Sequence, residues 1–544
     1  MATLHFKGKE IVRNHHLAIP YHELVPDEKK SLSNPSTKLG AGKPSLNDNL
    51  IIHGDNLLVL KALLPTYAGK IKCIYIDPPY NTGNEKWAYN DNVNSPMMKE
   101  WLGKVVDKDD LTRHDKWLCM MMPRLKLLRE LLRDDGVIFV SIDDNEQHHL
   151  RDLMDDVFGE ENFITNIIWE KKYSPQSDAR WLSDNHDFVI VYAKNKDNWK
   201  PNLLPRTDLS DAVYKNPDND HRGPWMSDNP SAKTYSVSTD FPITSPAGKV
   251  FYPPKSRCWR FTKERLEELI KDNRIWFGKD GYGMPRLKTF LSEVQAGLVS
   301  KTIWFREEVG DNQEAKRVIK DLFPNEHTDL FATPKPVRLI ERITQMSTDK
   351  DSIILDSFAG SGTTAHATLA LNKEDGGNRK FILVEMEDYA DKITAERVRR
   401  VIKGVKTAKD ENLKKGLGGS FSYYELGKPI DTERILKGKD LPTYAEMARY
   451  IFYTATGEEF NEKKVNEKTG FIGESKEYQV YLLYKPDMEY LKSTALTLER
   501  AETLGKPAGK KRLVFAPAKY LDQEHLLRYN IDFAQLPFEI YQKQ

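Results

Sequence analysis

The stretch Ile71-Lys72-Cys73-Ile74-Tyr75-Ile76-Asp77-Pro78-Pro79-Tyr80 decides the fold. Its first six residues form a short apolar run with the look of a buried strand. Two consecutive prolines end that run, because each fixes φ and removes a backbone donor. Upstream, Leu50-Ile51-Ile52-His53 reads as another strand, and residues 56–64 carry apolar side chains at helical spacing, so the segment is β-α-β. Downstream the pattern predicts a helix over 117–133, a strand over 136–142 and a helix over 146–157. Alternation of this kind gives a parallel sheet flanked by helices. Asp77 then stands at the carboxyl end of a parallel strand, where open α/β sheets bind ligands.

The alternation stops near residue 200 and resumes near 326. Between these points Pro, Asn, Asp and aromatic residues crowd the chain, which marks an insert over 200–325. A second α/β stretch follows, with a helix over 337–346, a strand over 352–355, a helix over 362–371 and a strand over 381–384, which completes the sheet. A basic helix over 396–409 and a glycine-rich segment lead to a final block over 411–544, with strands expected at 478–484 and 512–517. The first 48 residues are polar and rich in Pro, Ser and Lys, and read as an arm plus linker.

Two motifs carry chemistry. In Asp77-Pro78-Pro79-Tyr80 the prolines leave carbonyl oxygens free to accept hydrogen bonds, and the Asp77 carboxylate is a further acceptor. An exocyclic amino group of a base suits such a site: Asp77 and the Pro78 carbonyl each take one N–H, which favours a pyramidal, nucleophilic nitrogen. Tyr80 offers a ring on which an extruded base can stack. The same residues also fit a stiff loop or a proline-rich ligand, a reading that the preceding strand weakens.

The second motif is Asp356-Ser357-Phe358-Ala359-Gly360-Ser361-Gly362-Thr363-Thr364. Gly360 and Gly362 allow a tight turn and close approach of a ligand, and Thr363 and Thr364 are candidate caps of the next helix. The spacing is not Gly-x-Gly-x-x-Gly, and no Gly-Lys-Ser/Thr follows. Glu385, about 20 residues further on at the end of a strand, is placed to bind both hydroxyls of a ribose. A nucleoside without a pyrophosphate fits, which points to S-adenosylmethionine rather than a nicotinamide dinucleotide.

Together these residues resemble the β-group of DNA amino methyltransferases, in which the catalytic tetrapeptide precedes the cofactor glycine loop. Within that group the chain is similar, over nearly its full length, to modification subunits of type III restriction-modification systems. The resemblance rests on residues 77–84, Met122-Pro123-Arg124-Leu125, residues 131–144 and residues 358–366. It implies a Rossmann-like class I methyltransferase fold with permuted motif order, a target-recognition domain in the insert and a C-terminal α+β interaction domain. Asp77, Pro78, Pro79 and Tyr80 become catalytic. Asp356, Phe358, Ala359, Gly360, Gly362, Thr363 and Glu385 become cofactor-binding.

By the same resemblance Asp55, in His53-Gly54-Asp55-Asn56, meets the cofactor's adenine, although it fits a helix N-cap equally well. Thr333 and Lys335, in Phe331-Ala332-Thr333-Pro334-Lys335-Pro336, line the methionine end. Asp at position 77 favours adenine N6 over cytosine N4, where Ser is commoner. Cytosine C5 chemistry needs a thiolate after proline, and Cys73, Cys119 and Cys258 do not follow one. The implied partners are double-stranded DNA, a second copy of the chain and a restriction subunit of helicase-nuclease type.

Bulk properties restrict the rest. With 82 Lys plus Arg against 81 Asp plus Glu the chain is nearly neutral, so affinity for a polyanion must come from local patches. Residues 245–306 hold such a patch, with seven more basic than acidic residues and Tyr252, Trp259, Phe261, Trp276, Phe277, Tyr282 and Trp304 interleaved. Arg257 and Arg286 are candidates for guanine edges, while the rings fit a small core at least as well. The cysteines form no Cys-x-x-Cys pair, which argues against a zinc ribbon and a disulfide framework. No uncharged apolar run approaches the roughly 20 residues that span a bilayer. A cytoplasmic protein without metal or membrane is expected. Three other readings stay open: a cytosine-N4 methyltransferase, a specificity subunit without catalysis, and a nicotinamide-dependent oxidoreductase.

Overall fold

The computed structural model describes residues 4–33, 43–82, 112–175, 177, 179–324, 326, 330–430, 441–504 and 509–536. They fall into two compact units, one of residues 1–202 with 301–544 and one of residues 203–300. Among the described residues no helix is long and apolar enough to cross a membrane.

The larger unit is built on a ten-stranded sheet. Its strands in chain order are β1 (Tyr21–Leu32), β2 (Leu50–His53), β3 (Ile71–Ile76), β4 (Leu132–Ile142), β5 (Phe163–Glu170), β6 (His186–Ala193), β7 (Ile303–Trp304), β8 (Ile353–Asp356), β9 (Lys380–Glu385) and β10 (Phe421–Ile430). Across the sheet they run β1-β10-β2-β9-β8-β3-β4-β6-β5-β7. The run from β10 to β4 is parallel, and β6 is antiparallel to both β4 and β5. Strands β2, β3, β8 and β9 are apolar almost throughout because both faces are covered by helices.

The helices that matter to the site are α1 (Asn56–Tyr67), α2 (Arg113–Leu131), α3 (Gln147–Phe158), α4 (Val337–Ser347), α5 (Thr363–Asp375) and α6 (Glu396–Lys403). Helix α2 starts at a capping box in which Thr112 and Asp115 satisfy each other's backbone N–H. Helix α6 is shorter than the basic helix expected over 396–409, since the chain turns at Gly404 with φ +90°.

One pairing decides where the site lies. Strand β8 sits beside β3 with Ile354 opposite Cys73 and Leu355 opposite Ile74, so their carboxyl ends, Asp356 and Asp77, open on the same edge of the sheet. Strand β9 flanks β8 on the other side and ends at Glu385. The two motifs, almost 300 residues apart in the chain, are thereby neighbours.

Three boundaries differ from those expected. Residues 21–32 are not linker: β1 pairs antiparallel with β10 as an edge strand. Its charged residues and Pro26, which suggested a linker, are what an edge strand tolerates. The insert is compact over residues 203–300 and ends earlier than 325, because β7 already pairs with β5 and residues 312–322 form a helix whose Ile319 and Leu322 enter the core beside α6. The C-terminal block shares β10 with the main sheet, and its helix α7 (Tyr444–Thr456) places Met447, Ile451 and Phe452 in the same core as Leu60, Leu63 and Leu64. Beyond it, four strands, β11 (Phe471–Glu474), β12 (Tyr478–Leu482), β13 (Lys511–Ala516) and β14 (Ile531–Gln535), form a separate sheet in that order.

In the smaller unit Phe251, Trp259, Leu266, Leu269, Ile275 and Phe277 form a core, with Phe261 packed against it. Most of the rings in the basic stretch are therefore structural, whereas Tyr252 and Tyr282 are exposed. Trp304 belongs to β7 of the larger unit and is buried there.

Candidate active site

The carboxyl ends of β3, β8 and β9 line a cleft of about 750 Å3. Asp77, Pro78, Pro79 and Tyr80 form one wall; Asp356, Phe358, Ala359, Gly360, Thr363 and Glu385 form another; Thr333 and Lys335 close it.

Asp77 is held at one oxygen and open at the other. Its Oδ2 is paired with Lys335 Nζ at 2.5 Å. Its Oδ1 is buried without a hydrogen-bond partner. A buried lone acceptor is costly, so it marks a place for a donor that arrives with a ligand. The Tyr80 hydroxyl lies beside this carboxylate without a well-aligned hydrogen bond, and burial together with Asp77 pushes its pKa well up, so it is a neutral phenol. Lys335 Nζ also lies 5.0 Å from the centre of the Tyr80 ring. The Pro79 carbonyl accepts Trp117 Nε1 at 2.7 Å, which ties the tetrapeptide to α2.

The glycine loop is braced from several sides. Gly360 has φ +52° and donates its N–H to Glu385 Oε2 at 2.8 Å, while its carbonyl accepts Thr394 Oγ1 at 2.6 Å. Glu385 Oε1 accepts the N–H groups of Met386 and Glu387. Burial nevertheless raises the Glu385 carboxyl to a pKa of about 7 against these three donors. Asp356 accepts Phe358 N at 3.1 Å and Thr364 Oγ1 at 2.5 Å, and burial takes it to about 7 as well. Behind the loop the buried Arg397 donates to Ser361 Oγ and Thr363 Oγ1, both at 2.8 Å. Phe331 stacks edge-on with Tyr389, 5.7 Å between ring centres, and both rings line the cleft beside Gly360. The cleft thus combines an apolar slot, a glycine turn with a carboxylate, and an orphaned acceptor.

A sequence profile for the family described as DNA methylase matches residues 71–396, which span every element of this cleft. The chain belongs to the DNA methylase family. Among its relatives are the StyLTI Mod subunit of a type III restriction-modification enzyme from Salmonella typhimurium, 34% identical over 74% of this chain and 65% of that one, and the EcoPI Mod subunit from Escherichia phage P1, 33% identical over 72% of this chain and 68% of that one. The matched part thus spans about two thirds of the length of these relatives. Among solved structures, PvuII DNA methyltransferase (cytosine-N4-specific) is a loose likeness, with a TM-score of 0.34 and 14% identity over 64% of this chain and 86% of that one.

In this methylase two of the expected cofactor residues stand outside the cleft lining. Asp55 caps α1 by accepting Leu57 N at 2.8 Å and meets Arg124 Nη2 at 3.4 Å. Its neighbour Asn56 donates to the Ser357 carbonyl at 2.8 Å, so the segment braces the glycine loop from behind. Gly362, with φ +81°, is the N-cap of α5, and a Cβ there would stand 3.1 Å from the Thr394 carbonyl oxygen. Arg257 and Arg286 belong to the smaller unit: Arg257 donates to Ser231 Oγ at 3.3 Å, and Arg286 is exposed on the strand Arg286–Phe290.

Sequence reasoning missed Lys171, Phe331 and Tyr389 as cleft residues, whereas the turn Asn185-His186-Asp187, which by resemblance lies near the target base, does bring Asp187 to the cleft. Asp187 and Lys171 pair at 2.7 Å, and burial raises the Asp187 pKa. Phe331 stands in the segment that supplied Thr333 and Lys335, so its aromatic character was a readable signal. Lys171 reaches Asp187 only through the antiparallel pairing of β5 with β6, which no local pattern at Lys171 reveals.

Proposed function

We propose that this methylase transfers the methyl group of S-adenosylmethionine to N6 of an adenine extruded from duplex DNA, as the modification and sequence-recognition subunit of a type III restriction-modification system. The observation that carries the reading is the orphaned, buried Asp77 Oδ1 beside an aromatic ring. An amino group is the donor such an acceptor lacks, and Tyr80 gives the base a face.

The cleft suits the cofactor. Glu385 would take the ribose hydroxyls, Gly360 permits close approach of the nucleoside, Phe331 and Tyr389 offer it an apolar slot, and Thr333 with Lys335 would line the methionine end. When bound, the cofactor supplies an electrophilic sulfonium methyl. The chain's own part is positioning and fixed electrostatics: Lys335 holds Asp77 by Oδ2, so that Oδ1 keeps its aim, and N–H groups donated there and to the Pro78 carbonyl would favour a pyramidal nitrogen whose lone pair is drawn out of conjugation with the ring. Asp rather than Ser at position 77 supports adenine. The cytosine-N4 alternative rests on the same acceptor geometry.

DNA contact is assigned to residues 203–300, where Arg286 and the rings of Tyr252 and Tyr282 are exposed. The names of the type III relatives support a restriction subunit as partner, and a homodimer in which one copy reads while the other methylates belongs to the same reading. The test is transfer of labelled methyl to duplex DNA together with calorimetry of cofactor binding. Asp77→Ala should lose nearly all turnover and keep cofactor affinity. Wild-type turnover in that variant would overturn the proposal.

A further inference from the structure

Asn81, the residue after the tetrapeptide, has φ +58° although it is not glycine, and it is 1% exposed. Left-handed backbone is uncommon outside glycine, with Asn among the residues that adopt it when local hydrogen bonds favour it. Here two bonds impose it. The Asn81 side-chain amide donates to Glu146 Oε1 and to the Arg113 carbonyl, the latter at 3.3 Å.

Glu146 has a fully buried side chain. It stands in the turn between β4 and α3, and besides Asn81 it receives His114 Nδ1 on Oε1 at 2.7 Å and His149 Nδ1 on Oε2 at 2.9 Å. A carboxylate out of water is tolerated only when donors replace its hydration, and three donors do so here. His114 lies in the first turn of α2, the helix that also carries Trp117, the donor to the Pro79 carbonyl. Helix α2 and the turn after β4 therefore grip the tetrapeptide's exit at two adjacent points.

We infer that Glu146 is a positioning residue for the methyl-transfer site: with His114 and His149 it holds Asn81 in its left-handed turn, and so fixes Tyr80 and the Pro79 carbonyl where the target base must be met. Glu146 does not line the cleft and touches no reactant. The inference rests on the proposed methyltransferase reading. The same three side chains have the composition of a transition-metal site, and their candidate ligand atoms lie within 4.8 Å of one another. Contacts of 2.7 and 2.9 Å to opposite oxygens of one carboxylate are, however, those of two N–H···O bonds, and hydrogen bonding accounts for the group without an ion.

The test compares full-length wild type with Glu146→Gln, Asn81→Ala and the double variant. Single-turnover methyl transfer, cofactor affinity and thermal midpoint are measured for each. Glutamine keeps the shape but turns one acceptor into a donor facing a donor. Transfer should slow about tenfold in each single variant, with cofactor affinity held within about twofold, and the double variant should be no slower than Asn81→Ala, because both substitutions act through the shared Asn81–Glu146 bond.

Wild-type transfer in Glu146→Gln would overturn the inference. So would additive losses, or a loss that merely follows cofactor affinity and thermal midpoint downward. A cobalt(II) absorption band in the wild type that Glu146→Gln abolishes would replace it with a metal site. Failure of the underlying reading looks different, since the wild type itself would then transfer no methyl group.

Discussion

Replacing Gly360 by alanine tests the glycine loop where its geometry is tightest. A Cβ there would stand 3.0 Å from Phe331 Cζ, so the ring must give by a few tenths of an ångström. The residue has φ +52°, which costs alanine roughly 1–2 kcal/mol. Relaxing φ instead would strain the Gly360 N–H bond to Glu385 and the Thr394 bond to the Gly360 carbonyl. Either route disturbs Phe331 or Glu385, both of which face the cleft. If the unliganded loop relaxes and binding must restore it, that cost opposes binding, so at about 1.4 kcal/mol per tenfold S-adenosylmethionine affinity should fall roughly 5- to 25-fold. Calorimetry of cofactor binding, with a thermal melt of the unliganded protein beside it, reads the effect. Unchanged affinity, whether or not the melting temperature drops, would refute the placement of the cofactor against this loop.

Three further outcomes follow from the same geometry. Burial raises the carboxyls of Glu385 and Asp356 to about 7, so between their unfolded values and about pH 7 the folded protein holds more protons than the unfolded chain. Stability of the unliganded protein should therefore fall as pH rises through that window, Glu385→Gln should flatten part of the fall, and cofactor affinity should rise with pH as ionised Glu385 becomes available to ribose hydroxyls; thermal melts and calorimetry across pH check all three. Trp117→Phe removes the donor to the Pro79 carbonyl, a loss of about 1–3 kcal/mol if the oxygen stays buried, and should slow turnover several-fold at nearly unchanged cofactor affinity. Arg286→Ala should weaken DNA binding and reduce the slope of log affinity against log salt by about 1, measured by fluorescence anisotropy at several ionic strengths.

The sheet was legible because its central strands are short, continuous apolar runs that end in chemistry-bearing turns: Ile76 into Asp77, Leu355 into Asp356, Val384 into Glu385. Periodicity locates such elements to within a few residues. It says nothing of which strand lies beside which, so the adjacency of β3 and β8 comes from the structure alone. Residues 21–32 were misread because an edge strand carries the charges and proline of a linker, and its partner, β10, lies almost 400 residues away in the chain. Asp55 shows the other limit. The same carboxylate fits a helix cap and a ligand contact, and the structure places it as a cap paired with Arg124. Asn81 was legible only as part of the matched stretch 77–84 and Glu146 left no local trace, since their contact depends on three segments meeting at a buried point.

The central claim is tested most directly by mass analysis of nucleosides from duplex DNA incubated with the protein and S-adenosylmethionine carrying a heavy methyl group. N6-methyladenine with the heavy label is expected, absent when Asp77→Ala is used. N4-methylcytosine in its place, or no labelled nucleoside from any duplex, would contradict it.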